Sequence, residues 1–276
     1  MRRSRLISAI AVLALALAGC GGDSGPKQGT LMAPALLDPA AYRAEGIPGQ
    51  FGDTAPHDWA GITPAYHGVH GIDAARYQGL IDWPRARAAG VSFAWLKATE
   101  GGDRIDPGFA PNARAARAAG VPVGGYHFFY FCRTAAEQAE WFIRNVPRVK
   151  GDLPPVLDIE WNHTSPSCQL RPDPAKVRAE MRTFLEILRA HYHVTPVIYT
   201  TVDFWADNDL GQMRGYDFWL RSVADHPSVR YPGASWTFWQ YTGTGVVPGI
   251  GGTVDLNAFA GGPAEWAAWL AARRQN

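Results

Sequence analysis

Eight short β-rich apolar runs, Ala- and Arg-rich segments between the early ones, and carboxylates closing three of the runs predict an α/β fold. The architecture they predict is an irregular TIM-like β/α barrel with eight strands and fewer than eight helices. The runs are Val69 to Asp73, Phe93 to Ala98, Val121 to Phe129, Pro155 to Glu160, Pro196 to Thr200, Phe218 to Val223, Thr237 to Tyr241 and Thr253 to Leu256. They are apolar throughout rather than alternating, as parallel strands covered on both faces are. The segments between the early runs end in Ala89-Gly90 and Ala119-Gly120, where glycine fits the left-handed position that stops a helix. Strand, helix, strand repeats imply a parallel sheet, and eight strands imply its closure. The later connections are short for full helices, which makes the barrel irregular.

Ahead of the first run, Met1-Arg2-Arg3-Ser4-Arg5 precedes an apolar stretch from Leu6 to Ala18 that is too short for a permanent bilayer-spanning helix. That pattern is an export signal over residues 1–19. It ends in Leu17-Ala18-Gly19-Cys20, which resembles the lipobox of bacterial lipoproteins and makes Cys20 the expected lipidated first residue. The chain is then expected to be exported and lipid-anchored to a bacterial membrane facing the cell wall. In a host with two membranes, Gly21 after the cysteine points to the outer membrane and periplasm. Residues 20–65 are rich in Gly, Pro, Ala and Asp without a sustained period, and are expected to form a lipidated N-terminus and flexible tether.

Losing residues 1–19 removes Arg2, Arg3 and Arg5 and no acid, so 26 basic residues fall to 23 against 25 acidic ones, a formal charge of −2. Nothing in that balance points to nucleic acid. About 210 residues remain from Tyr66 onward, enough for one well-buried domain over 66–276. Cys132 and Cys168 are the only cysteines besides Cys20. In an exported chain they form either one bridge or two unpaired thiols, and no paired Cys or His spacing marks a metal site.

In β/α barrels reactive groups gather where strands end at the mouth, so acids there carry the most information. In Leu153-Pro154-Pro155-Val156-Leu157-Asp158-Ile159-Glu160-Trp161 the two acids lie two apart on a strand, on one face and about 6.6 Å apart at Cα. Two carboxylates held that close cannot both ionise freely; one pKa rises and supplies a proton donor near neutral pH. That is what cleavage of a glycosidic bond requires. Asp73 closes the first run and Asp255 the eighth, and closure makes those strands neighbours. Either alone reads equally as a turn cap. With the Asp158/Glu160 pair, they form an acidic site.

The residues then show a resemblance. Gly71-Ile72-Asp73 with Tyr77-Gln78-Gly79 and Ile81-Asp82-Trp83, Lys97-Ala98-Thr99-Glu100-Gly101, Asp106-Pro107 with Phe109 and Asn112, and Gly125-Tyr126-His127-Phe128 occur in that order. Pro155-Val156-Leu157-Asp158-Ile159-Glu160, Trp239-Gln240-Tyr241 and Val254-Asp255-Leu256-Asn257 follow. From about Gly68 to Phe259 the chain resembles the glycoside hydrolase family 25 muramidases, lysozymes acting on peptidoglycan. The resemblance implies acid-assisted hydrolysis of the β-1,4 bond between N-acetylmuramic acid and N-acetylglucosamine. Glu160 is the implied general acid, and Asp73, Asp158 and Asp255 are the rest of the catalytic set. Retention of configuration is implied, through a carboxylate or through the substrate's own N-acetyl group. No metal or organic cofactor is implied. One departure is Ala74-Ala75, which removes a hydroxyl often found after the first aspartate but no acid.

Rings stack on the apolar faces of sugars, so aromatic residues at strand ends are candidate substrate contacts. These are Tyr77, Tyr126, Phe128, Tyr199, Trp219 and Tyr241, with His127 and Gln240 as hydrogen-bonding partners; core packing is the competing role for each ring. Lys97 and Glu100 read either as a supporting ion pair or as direct contacts. The expected partners are peptidoglycan glycan strands and, through the anchor, a membrane, with the chain a monomer. A non-catalytic peptidoglycan-binding lipoprotein and a glycosidase on a chitin-like polymer are the alternative readings. Retention of all four acids argues against the first, and the uncharged stretch Leu153 to Leu157 argues against the second.

Overall fold

The computed structural model describes residues 46–276, so the export signal, Cys20 and the first part of the expected tether lie outside the described residues. The elements in chain order are β1 (Gly52–Asp53), β2 (His70–Ala74), α1 (Trp83–Ala89), β3 (Ala94–Glu100), β4 (Arg104–Ile105), α2 (Phe109–Ala118), β5 (Val123–Phe128) and α3 (Ala135–Asn145). They continue with β6 (Val156–Asp158), α4 (Pro174–Tyr192), β7 (Val197–Thr200), α5 (Val202–Asp207), β8 (Phe218–Arg221), α6 (Pro227–Arg230), β9 (Phe238–Val246), β10 (Val254–Phe259) and α7 (Pro263–Arg273).

Local chemistry explains the boundaries. Asp82 accepts from the Arg85 amide to start α1, and Gly90 stops it with a φ of 118°. A reciprocal Thr134/Glu137 capping box opens α3, and Asp173 caps α4 through the Lys176 amide. Gly120 follows α2 with a φ of 73°. After the 19 residues of α4 the connecting helices are short, six residues in α5 and four in α6.

Eight strands close in the order β9-β10-β2-β3-β5-β6-β7-β8, with β8 pairing β9. Seven of them run parallel, but β10 is antiparallel to both β2 and β9. The wholly parallel expectation fails there because no helix separates β9 from β10: a direct reversal forces antiparallel pairing.

The expected tether is also too long. Within it, β1 pairs with Gly245 and Val246 of β9, Asp53 accepts a hydrogen bond from the Thr244 hydroxyl, and Trp59 stands edge-on to Trp239 at 5.2 Å. Phe51 and Trp59 supply apolar surface that the surrounding Gly- and Pro-rich composition conceals, so the described part of the segment is docked on the barrel.

Side chains alternate across every strand and build two cores. Ile72, Leu96, Leu157, Ile198, Leu220 and Trp239 point outward under the helices. Trp95, Tyr126, Tyr199, Trp219 and Phe238 fill the interior, where Trp95 and Trp219 stack at 4.9 Å. Gly124 makes room for this, since a Cβ there would lie 2.7 Å from Trp95 Nε1. At the end opposite the mouth, α7 sets Trp266 and Trp269 against Phe238 and Phe259. The two cysteines form a disulfide across 36 residues, joining the loops after β5 and β6.

Candidate active site

The same alternation delivers the acids. On β2 Ile72 faces out and Asp73 in; at the end of β6 Asp158 faces in, Ile159 out and Glu160 in. The Ile159 amide still donates to the Tyr199 carbonyl, so the backbone that presents Glu160 is held by the ladder beyond the strand proper. Asp255 stands opposite Asp73 in the β10–β2 register. Contrary to the sequence expectation, Asp255 begins its strand rather than closing it. Because β10 runs against its neighbours, its start lies at the mouth where the others end.

Asp73, Asp158, Glu160 and Asp255 line one cavity of about 290 Å³, floored by Tyr126, Tyr199 and Trp219. A second cavity of about 670 Å³ lies beside it, lined by Trp161, Asn162, His163 and Asp203. Phe128, Glu160 and Arg221 border both.

A polar network fixes Asp73. Its Oδ1 accepts from Gln240 Nε2 at 3.0 Å and Asn257 Nδ2 at 2.8 Å. Tyr199 donates to Gln240 Oε1, and the Trp219 indole to Asn257 Oδ1. Burial raises Asp73 to about 6, with the two amide donors opposing the rise. Burial raises Glu160 to about 6 as well; Arg221 opposes this and Asp203 adds to it. Asp158 is driven well above the carboxylate range by burial and by the neighbouring Glu160. Asp255 is pushed up to about 8 by burial and by Asp73. The cluster therefore holds protons at neutral pH, shared among interacting sites. Among the described residues, Asp158 Oδ1 has no hydrogen-bond partner. No group of three or more metal-ligating side chains is arranged to hold an ion among them.

Six of the eight expected sugar contacts line this cavity: Tyr77, Tyr126, Phe128, Tyr199, Trp219 and Gln240. Tyr77 stands 75% exposed on the rim. His127 and Tyr241 are not brought to it, because each is one residue out of phase with an inward neighbour. His127 Nε2 donates to Gln138 Oε1, its Nδ1 is bonded to the Thr99 hydroxyl, and its ring stacks on Phe184 under the helices. Burial holds that imidazole neutral, down to about 4. Tyr241 is buried on the outer face and hydrogen-bonds His70. Lys97 and Glu100 form an ion pair at 2.6 Å, with Tyr130 donating to the same carboxylate. Sequence reasoning missed Arg221 and Asn257 as site residues. The two-residue step from Trp219 to Arg221 and from Asp255 to Asn257 was the available signal.

A raised carboxyl beside other carboxylates, above a floor of rings in a barrel mouth, is equipment for acid-assisted glycoside hydrolysis, and the fold and cleft are those of a glycoside hydrolase. Comparison with known proteins supplies the family. The family described as "Glycosyl hydrolases family 25" matches residues 72–250, and the chain belongs to it. Lysozyme M1 of Streptomyces globisporus is 35% identical over 274 residues, covering 94% of this chain and 90% of that protein. A family 25 glycosyl hydrolase from Bacillus anthracis superposes with a TM-score of 0.69 at 34% identity, covering 78% of this chain and 98% of that one. The lysozyme of Streptomyces coelicolor gives 0.64 at 36% identity, covering 72% and 95%. These relatives bear out the irregular α/β barrel.

Proposed function

We infer that this chain is a lysozyme, an N-acetylmuramidase hydrolysing the β-1,4 bond between N-acetylmuramic acid and N-acetylglucosamine in peptidoglycan. The observation that carries the reading is the position of Glu160. It stands where the two cavities meet, so a glycan lying through both sets a glycosidic oxygen beside it. With its pKa raised to about 6, Glu160 is still partly protonated near neutrality and can give its proton to that oxygen. The cavity lined by the acids then holds the sugar that gains positive character, facing Asp73, Asp158 and Asp255 above Tyr126. Asp158, buried with an unpartnered oxygen, is placed to meet a polar group of that sugar. The relatives named as lysozymes support the choice of bond.

The test is digestion of purified peptidoglycan by residues 46–276 and by its Glu160→Gln variant, with borohydride labelling of the new reducing ends. Muramic acid ends from the wild type and a loss of about 10²- to 10⁴-fold in the variant are expected. Glucosamine ends, or binding without release, would overturn the reading.

We propose further that the chain works as an exported monomer lipid-anchored through Cys20, on the periplasmic face of the outer membrane in a host with two membranes. The support is the sequence of residues 1–21. A Cys20→Ala change should release the protein from membranes; unchanged membrane association refutes the anchor, and recovery of the wild type in the inner membrane refutes the sorting.

A further inference from the structure

Arg221 ends β8 with its side chain on the face of Trp219, one inward position nearer the mouth. Its backbone is tied down: the Tyr231 hydroxyl donates to its carbonyl at 2.6 Å, and the next amide, of Ser222, donates to the Gln240 carbonyl at 2.9 Å. The side chain is not. It is exposed and, among the described residues, makes neither a hydrogen bond nor a salt bridge.

That freedom is unusual for its surroundings. The positive charge of Arg221 is close enough to draw Asp73, Glu160 and Asp255 downward against their burial. Arg117 and Arg273, also beside buried acids, are bonded to Asp152 and Asp217. Among the described residues no carboxylate reaches salt-bridge distance of the Arg221 guanidinium, so its donors stay uncommitted. An arginine presents five N–H donors in a planar fork that fits a carboxylate with two parallel bonds. Here the fork borders both cavities, beside the proton donor.

We propose that Arg221 is a specificity-determining residue that binds a carboxylate of the substrate next to the cleaved bond. The proposal rests on the muramidase reading, because the glycan's anionic groups come from muramic acid: its own lactyl carboxylate once the stem peptide is gone, or the carboxylates of that peptide. Both present the same chemistry to a guanidinium. A plain glucosamine polymer presents none.

The experiment compares kcat/KM of wild type, Arg221→Gln and Arg221→Lys on four substrates. These are peptide-free glycan strands, the same strands with their carboxylates converted to methyl amides, peptide-bearing strands, and peptide-bearing strands amidated likewise. The change of field at Glu160 is common to all four and divides out of the ratio between charged and amidated partners. A loss of about 10- to 100-fold for Arg221→Gln on a charged substrate, in KM rather than kcat, is expected, with a much smaller loss on its amidated partner and partial rescue by lysine. Selectivity confined to peptide-free strands assigns the lactyl group, and selectivity confined to peptide-bearing strands assigns the stem. Equal losses on charged and amidated forms overturn the proposal and leave the muramidase reading standing. Failure of the wild type to cut any strand overturns both.

Discussion

Replacing Asn257 with leucine tests how the buried network governs Asp73. Asn257 is fully buried; it donates to Asp73 Oδ1 at 2.8 Å and accepts from the Trp219 indole at 2.7 Å. Leucine removes both partners, leaving a buried indole N–H unsatisfied at a cost of about 1–3 kcal/mol. The bond to Asp73 adds a pH-dependent part. Burial raises Asp73 from 3.8 to about 6, so ionisation costs folding nothing below pH 3.8, the cost grows between, and it is complete above about 6. Without Asn257 the carboxylate loses a donor, its folded pKa moves higher still, and the full cost is larger and reached later. At pH 5 the lost bond is to a largely neutral acid, worth about 0.5–1.5 kcal/mol, whereas at pH 8 it is to an anion, worth about 1.5–3 kcal/mol. The variant should therefore be destabilised by about 2–4 kcal/mol at pH 5 and by about 1 kcal/mol more at pH 8. Urea unfolding followed by tryptophan fluorescence at both pH values measures this. In an Asp73→Asn background the pH dependence should vanish. An equal or larger loss at pH 5 refutes the reasoning.

Three further expectations follow from the same geometry. With Glu160 as the proposed proton donor and burial raising its carboxyl to about 6, kcat/KM should fall about tenfold per pH unit above that value; a plateau through pH 8 would remove Glu160 from the donor role. Opening the Cys132–Cys168 bridge by paired serine substitutions frees a 36-residue loop, costing about 4 kcal/mol on the chain-entropy model, read as a lowered urea midpoint. His127→Ala should destabilise the fold by about 2–4 kcal/mol through lost packing while leaving KM for glycan strands unchanged, and a raised KM at wild-type stability would return His127 to the cleft.

The barrel was legible because its strands are short apolar runs bounded by helix-stopping glycines, and the acids because they close such runs. Three things were hidden, each for a physical reason. The reversal of β10 is set by what lies between it and β9, and an apolar run carries no sign of its direction. The docking of residues 46–65 depends on two rings, Phe51 and Trp59, in a stretch whose average composition reads as linker. His127 and Tyr241 sit in motifs whose neighbours line the cleft, but a period of two admits only alternate residues of a strand to it. Arg221 is hidden for the converse reason: a cation two residues past Trp219 has no place in a motif of strand-end acids.

The antiparallel closing strand makes the acidic cluster a report on completed folding. Asp73 and Asp255 are paired across the β2–β10 seam, yet one lies near the beginning of the described chain and the other near its end. A slip of one residue in that seam would turn Asp255 outward and bring Leu256 into the cleft. Until β10 is seated, Asn257 is also missing from Asp73 and Trp219. A chain that emerges N-terminus first thus carries Asp73, Asp158 and Glu160 long before Asp255 and Asn257 arrive, and the acidic cluster is whole only once its last barrel strand is in register.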